Sequence, residues 1–295
     1  MAERIAILNG FGRTLGDSII GLQALHATLE LNPGFGAPVL YRLPGLGPLM
    51  ERLYRLAEFA DLRDLPWPHS TRETSFSAAD CDAVIDIRDF AYDNGFLRHS
   101  MIDFFLSRLG LDPATVGTAA KRNSWLAPRM ALTDPELSPD YILVCPNSAN
   151  PMRSMPDAFH AAVVSSLRRH ACVVTQGRAT GKEVVSRPHE ASLESLCALV
   201  ARARCVVSTD TAAVHLADAF EVPCLAFFPT HDPDWRVRDY PLCTPVRLDA
   251  GAAAGLEFPR SAADLQAASN AWFPHGADLS WLDRTLGDFL GSLRR

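Results

Sequence analysis

A buried strand runs straight into a helix in Arg204-Cys-Val-Val-Ser-Thr-Asp-Thr-Ala-Ala-Val-His-Leu-Ala217. The strand ends in Ser208-Thr-Asp210, which is expected at the carboxyl edge of a parallel sheet, where ligands of such sheets bind. The first amides of the helix have no partner within it, so they suit an anion. The alternative is a helix-capping aspartate with a histidine on the helix face. The candidate anion site comprises Asp210, Thr211, Ala212, Ala213 and His215.

Short apolar runs alternate with longer amphipathic stretches on both sides of this segment. Further buried strands are predicted at residues 141–145, 172–174 and 224–228, and in the first half at 5–8, 39–41 and 83–87. Helices are predicted at 18–31, 49–60, 96–109, 156–169, 192–203, 211–220 and 279–293. This alternation is typical of β-α-β units on a parallel sheet, so the predicted class is α/β.

One stretch interrupts the alternation. Residues 111–139 are rich in Pro, Ala, Thr and Ser and show no sustained period, which predicts a linker between two halves. Two α/β halves are expected to form a cleft, and such clefts are common ligand sites. After Asp232 the chain is rich in proline, and irregular structure is predicted there until the final helix.

The composition excludes several classes of protein. With 295 residues, 48% of them hydrophobic and 21% charged, the chain has the composition of a soluble globular protein with room for two cores. It carries 28 Lys and Arg against 34 Asp and Glu without a basic run, which argues against binding nucleic acid or anionic lipid by bulk charge. Its seven cysteines form no C-x-x-C pair for zinc or redox chemistry.

The sequence shows neither a secretory signal nor an apolar run of membrane-spanning length. A cytoplasmic protein with at most peripheral membrane contact is therefore expected.

Three glycines lie in the turn after the first strand, Asn9-Gly-Phe-Gly-Arg-Thr-Leu-Gly16-Asp17. One interpretation is a relaxed dinucleotide fingerprint at Gly10, Gly12 and Gly16, which would indicate a nicotinamide- or flavin-dependent oxidoreductase. That fingerprint requires an acidic residue after the second strand, whereas Arg42 stands there. The other interpretation is a glycine-rich turn in which Asp17 caps the helix.

A polar loop with a single arginine follows the strand at 141–145, in Pro146-Asn-Ser-Ala-Asn-Pro-Met-Arg-Ser-Met-Pro156. A guanidinium in such a loop, that of Arg153, can bind a diphosphate through two parallel hydrogen bonds. A solvated loop arginine is the alternative.

Together these three segments resemble the family 9 glycosyltransferases, the ADP-heptose-dependent heptosyltransferases of bacterial cell-surface glycan assembly. Gly16-Asp17 is similar to the Gly-Asp pair that opens the family's first helix. Arg153-Ser-Met-Pro156 resembles its Lys-x-Trp-Pro, with arginine for lysine and methionine for tryptophan. Asp210-Thr-Ala-Ala-Val-His-Leu-Ala217 resembles its D-[ST]-G-x-x-H-[LF]-A signature, with Ala212 in place of glycine.

The resemblance implies a GT-B-like fold of two Rossmann-like domains that face each other across a cleft. Residues 1–125 would bind the acceptor and residues 126–275 the nucleotide sugar, while the helix within 276–295 would pack back on the N-terminal domain. It implies metal-independent transfer of a sugar, expected to be a heptose on ADP, to an acceptor hydroxyl. Asp17 would be the general base, Arg153 and the helix start at Thr211 would stabilise the leaving diphosphate, and Asp210 would position the sugar or the loop.

Other positions are secondary candidates. Gly177 and Glu183 resemble the family's nucleoside-side loop, and Gly16, Arg88 and Asp89 are candidates on the acceptor side, where a surface ion pair of Arg88 with Asp89 is the alternative. Two D-x-D sequences, at 80–82 and 232–234, are interpreted as turns and not as metal sites.

The nucleotide sugar is expected as co-substrate, with no metal and no further cofactor. The N-terminal half has no basic excess, so the acceptor stays open among a glycan, a lipid-linked molecule and a small molecule; nucleic acid is not expected. A non-catalytic nucleotide-sugar-binding protein and the oxidoreductase are the two alternatives.

Overall fold

The computed structural model describes residues 3–66, 76–96, 98–132, 140–177, 185–187 and 192–293. They belong to two compact units, Met1–Ala131 with Ala191–Leu193, and Leu132–Glu190 with Glu194–Arg295. The division thus falls slightly after the one expected between residues 125 and 126.

A parallel sheet forms the centre of the first unit. Its described strands are β1 (Arg4–Asn9), β2 (Ala37–Arg42), β3 (Asp61–Asp64) and β4 (Ala83–Asp86), in the order β3-β2-β1-β4. Its described helices are α1 (Leu15–Leu31), α2 (Pro48–Arg55) and α3 (Met101–Arg108). The apolar side chains of β1 and β2 are buried, as in a sheet covered on both faces.

A larger parallel sheet forms the centre of the second unit. Its described strands are β5 (Tyr141–Cys145), β6 (Cys172–Gln176), β7 (Val185–Arg187), β8 (Cys205–Thr209), β9 (Cys224–Phe228) and β10 (Cys243–Arg247), in the order β10-β9-β8-β5-β6-β7. The helices are α4 (Asp157–Leu167), α5 (Leu193–Ala201), α6 (Ala212–Ala219), α7 (Asp234–Val237), α8 (Ala262–Asn270) and α9 (Ser280–Ser292). Counted from β5, this is the strand order of the Rossmann fold, so the predicted α/β class is confirmed.

Both sheets reverse their strand order beside their first strand, between β1 and β4 and between β5 and β8. In open parallel sheets, ligands bind outside the carboxyl ends of the strands at such a point. The segments that follow these four strands are therefore the ones that the fold places for binding.

The glycine-rich turn after β1 packs tightly against its own unit. Asn9, Gly10, Phe11 and Gly12 all have positive φ, and Phe11 is fully buried. A Cβ on Gly21 of α1 would lie 2.1 Å from Cγ of Phe11, so the helix needs a glycine where this ring crosses it. A Cβ on Gly10 would lie 2.9 Å from Cβ of Arg42. These glycines therefore serve the packing of the chain on itself.

Part of the predicted linker is a packed component of the first unit. Trp125 is buried, and its indole Nε1 donates to the carbonyl of Ile19 in α1 at 3.3 Å. The backbone N–H of Trp125 donates to Oε1 of Gln23 at 3.3 Å. This segment has no period because it forms short 3-10 turns, at 113–115, 118–121 and 127–129, instead of a helix. The first of these turns contacts α3 and the second contacts α1.

Several elements lie where the sequence pattern predicted none, namely β3, β7, β10, α7 and α8. The three strands are at the edges of their sheets, and β10 contains Pro245, which an edge strand tolerates because one side of it has no ladder partner. Helix α3 begins at Met101, later than predicted, because Ser100 caps it by accepting a hydrogen bond from the N–H of Asp103 at 3.4 Å.

The last helix, α9, packs on α4 of the second unit. Its buried residues join a cluster with Phe159 and Trp272, and they are Leu282, Leu286, Phe289 and Leu290. In the same contact with α4, Oδ1 of Asp283 accepts a hydrogen bond from Oγ of Ser166 at 2.6 Å. This helix was predicted to pack on the N-terminal domain, whereas its apolar face completes the core of the second unit.

Among the helices that the structure describes, none has both the length and the apolar character that crossing a bilayer requires.

The contact between Gly21 and Phe11 predicts a sharp effect of a single methyl group. Gly21→Ala should lower the free energy of unfolding by about 1–3 kcal/mol, because the new Cβ overlaps a buried ring that cannot move away. Gly287→Ala is the matched control: it lies in α9, a Cβ there meets nothing within 4 Å, and it should raise the free energy by about 0.5–1 kcal/mol. Urea unfolding of the three proteins measures both; equal stability of wild type and Gly21→Ala would refute the close contact.

Candidate active site

Arg153 and Asp210, which were predicted from separate sequence motifs, are in direct contact in the second unit. Arg153 ends a 3-10 turn, Pro151–Arg153, in the loop after β5, and Asp210 follows β8. Nη1 of Arg153 lies 3.2 Å from Oδ2 of Asp210, and their side chains are 9% and 3% exposed. The hydroxyl of Thr209 also donates to the carbonyl of Arg153. The point of reversal between β5 and β8 therefore brings a buried cation and a buried anion together.

A second arginine reaches the same carboxylate. Nε of Arg236, in α7, lies 3.5 Å from Oδ2 of Asp210, and the Arg236 side chain is 5% exposed. Its guanidinium lies over the ring of Trp235, 4.6 Å from the centroid, which fixes its plane. Arg236 was not predicted; in the sequence it is marked only by the Trp-Arg pair close to Pro233. Arg153 and Arg236 are called the arginine pair below.

A second carboxylate faces the arginine pair. Oε1 of Glu257 lies 3.8 Å from Nη2 of Arg153, and Oε2 lies 3.7 Å from Nη2 of Arg236. Nε2 of His231 is 3.3 Å from the same Oε2. Glu257 was not predicted, because it comes from a loop without any periodic pattern. Two guanidiniums are thus balanced by two carboxylates, as burial of charge requires.

The protonation states follow from burial and from the arginine pair. Burial raises the pKa of the Asp210 carboxyl, but Arg236 and Arg153 outweigh this and hold the pKa at about 2, so Asp210 is ionised at neutral pH. Burial, together with Arg236, lowers the pKa of His215 and that of His231 to about 3 each. Both imidazoles are therefore neutral near pH 7.

His215 lies inside the unit as a neutral hydrogen-bonding group. Its Nδ1 lies 2.9 Å from the hydroxyl of Tyr240, and the side chain is buried. It was predicted to face an anion at the helix start. In the structure the neutral imidazole adds no positive charge at the helix start, and its hydrogen-bond partner is the buried Tyr240.

Thr211 is the N-cap of α6, in an extended conformation. The alternative in which Asp210 caps this helix is wrong, because the Asp210 carboxylate goes to the arginine pair and its backbone N–H donates to the carbonyl of Phe227 at 3.0 Å. Ala212 and Ala213 form the first turn, so their amides are at the helix end that favours anions.

Asp17 lies in the first turn of α1 in the other unit, at the edge where the first sheet reverses. Thr14 is the N-cap, and its Oγ1 accepts a hydrogen bond from the N–H of Asp17 at 3.3 Å. The interpretation of Asp17 as a cap is therefore wrong, and its partly exposed carboxylate is not needed to start the helix. Gly16 beside it is buried, and a Cβ on Gly12 would lie 3.8 Å from Cβ of Asp17.

Arg88 forms an ion pair, but with another partner than the one considered. Its Nε donates to Oδ1 of Asp86 at 3.0 Å and its Nη2 to Oδ2 at 2.7 Å. These hydrogen bonds raise the pKa of the buried Arg88 guanidinium. The carbonyl of Arg88 accepts from Nδ2 of Asn9 at 3.3 Å, which ties the loops after β1 and β4 together. Asp89 is partly exposed at the start of the 3-10 turn Phe90–Tyr92.

The end of β2 argues against a dinucleotide site. Arg42 stands where a ribose would need an acid; its Nε donates to Oδ1 of Asp64 at 2.9 Å and its Nη2 to Oε2 of Glu51 at 2.7 Å. This position thus presents a guanidinium already bound by two carboxylates. Since the neighbouring glycines are explained by packing, the oxidoreductase alternative loses the observations that suggested it.

The nucleoside-side candidates are only partly described. Gly177 directly follows β6: its N–H donates to the carbonyl of Arg187 at 2.6 Å, and its carbonyl accepts from Oγ of Ser186 at 3.0 Å. Glu183 lies outside the described residues.

One aspartate of each D-x-D sequence pairs with an arginine. Oδ2 of Asp80 lies 2.8 Å from Nη2 of Arg63, and Oδ2 of Asp232 lies 2.7 Å from Nη1 of Arg247. Within the described ranges, no three His, Cys, Asp or Glu residues form a group that could hold a metal ion.

The two neutral histidines predict how stability changes with pH. An unfolded histidine takes up a proton near pH 6.5, whereas folded His215 and His231 do so only near pH 3, so the unfolded state binds more protons in between. The free energy of unfolding should therefore fall as the pH decreases below about 6.5, by up to about 1.4 kcal/mol per pH unit for each histidine.

Urea unfolding at pH 7, 6 and 5 measures this slope. His215→Asn retains a polar atom for Tyr240 but cannot take up the proton. It should therefore reduce the change of the free energy of unfolding with pH by the contribution of one histidine. The exposed His275 is the matched control, and His275→Asn should leave the slope as in wild type. An unchanged slope in His215→Asn would contradict a neutral, buried His215.

Comparison with known proteins agrees with this geometry. Residues 126–242 match the model of glycosyltransferase family 9 (heptosyltransferase). No curated protein matches this chain by sequence.

Three solved structures share the fold. E. coli ADP-heptose LPS heptosyltransferase II is 15% identical with a TM-score of 0.60, and the match covers 99% of this chain and 98% of that one. E. coli heptosyltransferase WaaC with ADP is 16% identical with a TM-score of 0.58, and the match covers 98% of this chain and 99% of that one. The third structure is the dodecameric iron-containing heptosyltransferase TibC of enterotoxigenic E. coli, in complex with ADP-D-beta-D-heptose. It is 12% identical with a TM-score of 0.63, and the match covers 99% of this chain and 78% of that one.

At such identities the structural matches establish a GT-B-like fold, and the family match covers the segment with the arginine loop and the Asp210 signature. The resemblance seen in the sequence motifs is thereby confirmed for residues 126–242, which are similar to glycosyltransferase family 9 (heptosyltransferase), and the chain shares the GT-B-like fold of the solved heptosyltransferases.

Proposed function

We propose that this protein is a glycosyltransferase that moves a heptose from an ADP-linked donor to an acceptor hydroxyl without a metal ion. The observation that carries this proposal is the contact of Arg153 and Arg236 with Asp210 at the point where the second sheet reverses its strand order. Two guanidiniums in that place suit the two phosphoryl groups of a nucleotide diphosphate.

The donor's diphosphate would bind between the arginine pair and the start of α6. Arg153 and Arg236 are nine-tenths or more buried, so their attraction for an anion is weakly screened by water. The amides at Ala212 and Ala213 add the partial positive charge of a helix N-terminus. Asp210 would hold both guanidiniums in position and stay ionised throughout, since its pKa is about 2.

The reaction itself is a substitution at the anomeric carbon. The acceptor oxygen forms a bond to this carbon, and the bond from the carbon to the phosphate oxygen breaks with its electron pair going to the diphosphate. The hydroxyl proton passes to the carboxylate of Asp17, the proposed general base. Arg153 and Arg236 stabilise the charge that develops on the leaving diphosphate, which is the work that a metal ion does in other enzymes.

The choice of ADP and heptose is supported by the relatives. One of the three solved structures is named as an ADP-heptose heptosyltransferase, one holds ADP and one holds ADP-D-beta-D-heptose. We propose the same donor here, and a cytoplasmic place of action in which membrane contact is at most peripheral.

The acceptor is proposed to be a glycan, a lipid-linked glycan or a small molecule that approaches the first unit near Gly16, Asp17 and Asp89. Arg88 is not proposed as a direct contact, because its side chain is buried and its Nε and Nη2 both donate to Asp86.

Nucleotide binding tests the donor proposal. ADP should bind, measured by isothermal titration calorimetry, in preference to GDP, UDP, CDP and dTDP. Arg153→Gln should weaken ADP binding about 10- to 100-fold, since a hydrogen bond to a charged group contributes about 1.5–3 kcal/mol. Arg153→Lys should retain most of the affinity, because it keeps the charge.

The exposed Arg284 of α9 provides the control, and Arg284→Gln should bind ADP like wild type. Preference for another nucleoside diphosphate would overturn the ADP assignment, and binding of NAD alone would overturn the whole proposal.

Replacing Asp17 tests the base. Asp17→Asn keeps the backbone N–H that Thr14 accepts, so α1 should form as before. We expect ADP release from ADP-heptose, with a glycan found to act as acceptor, to slow by about 100-fold or more, while ADP affinity stays unchanged. Glu30→Gln removes an exposed carboxylate from the same helix and should leave the rate unchanged. Full turnover by Asp17→Asn would exclude Asp17 as the base.

A further inference from the structure

The two carboxylates that face the arginine pair are held differently. Asp210 is 3% exposed and lies 3.2 and 3.5 Å from the two guanidiniums. Glu257 is 37% exposed and lies 3.8 and 3.7 Å from them. It gives one oxygen to each arginine, as two oxygens of a phosphoryl group would. Asp210 is therefore a fixed part of the cluster, whereas Glu257 lies on its solvent side at longer distances.

The main chain of Glu257 is anchored independently of its carboxylate. The N–H of Gly255 donates to the carbonyl of Thr230 at 2.6 Å. Nδ2 of Asn150 donates to the carbonyl of Glu257, and Oδ1 of Asn150 accepts from the N–H of Met152 at 3.0 Å, within the turn that carries Arg153. The side chain of Glu257 can thus rotate toward water while its backbone stays bound.

The charge balance gives the carboxylate a role. With both neighbouring histidines neutral, two guanidiniums face two carboxylates, and the loss of Glu257 from its place leaves one positive charge uncompensated. In addition, Nε of Arg153 is buried and makes no hydrogen bond to any residue that the structure describes. An anion with more acceptor oxygens than a carboxylate satisfies this cluster better.

We propose that Glu257 is an internal counter-anion that occupies the place of the donor's diphosphate on Arg153 and Arg236 and that the donor displaces it. This inference rests on the proposed function, since it assigns the diphosphate to the same two guanidiniums. Glu257 keeps the arginine pair in order while no donor is bound. Its return competes with the nucleoside diphosphate after the sugar has left.

Displacing an internal anion reduces the apparent affinity for the external one. Glu257→Gln removes the charge with little change of shape, so it should bind both ADP and inorganic pyrophosphate about three- to tenfold more tightly than wild type. The two ratios should agree, because the competition concerns the diphosphate alone. Isothermal titration calorimetry of both ligands measures them, and Glu257→Ala serves as a second variant without the amide.

Asp288→Asn is the matched control. It removes one negative charge from an exposed position on α9 of the same unit, and it should leave both affinities unchanged. A general effect of net charge would instead strengthen binding in the control as well, which would overturn the inference.

The remaining outcomes separate this inference from the proposed function. If Glu257 binds the nucleoside or the sugar, Glu257→Gln weakens ADP binding and leaves pyrophosphate unaffected, and the inference is wrong. If wild type and Glu257→Gln bind ADP equally while Arg153→Gln does not bind it, the proposed function stands and only the inference fails. If neither wild type nor Glu257→Gln binds either ligand, both fail; binding gained only by Glu257→Gln supports the inference.

Discussion

Two guanidiniums buried against one carboxylate, Arg153 and Arg236 against Asp210, are the constraint on which the second unit depends. Charges taken out of water are tolerated only when they are paired, so the ends of β5 and β8 and the single turn of α7 must all arrive at one place. The strand order supplies this, because β5 and β8 are neighbours although their residues are far apart in sequence. Burial, reinforced by the same positive charges, lowers the pKa of His215 and of His231, so both imidazoles are neutral near pH 7.

The first unit shows how one sequence pattern serves different ends. A glycine-rich turn between a strand and a helix can bring backbone close to a pyrophosphate, and it can equally admit a bulky side chain. Here Phe11 fills the space that Gly21 leaves open, and Arg42 is bound by Glu51 and Asp64. The glycines alone do not tell these cases apart, whereas the residue at the end of the second strand does.

The central strands β5, β8 and β9 are predictable because burial on both faces requires unbroken apolar runs. Three of the four residues of the edge strand β3, Asp-Leu-Arg-Asp, are charged, since an edge facing water has no need of an apolar run. The residues of the site also fall into a predictable and an unpredictable group. Arg153 and Asp210 directly follow predicted strands, so the topology of a parallel sheet puts them together. Arg236 and Glu257 come from one helical turn and an irregular loop, and only the requirement to balance buried charge could have indicated that more partners existed.

The packing of α9 also affects the order in which the chain acquires its structure. Leu282, Leu286, Phe289 and Leu290 complete a core whose other members begin at β5, so this core stays open until α9 has been synthesised. The ribosome delivers the first unit much earlier, and domains generally fold as units in the order of their synthesis. During translation the nascent second unit therefore exposes apolar side chains around Phe159 and Trp272, and it depends on α9 to cover them.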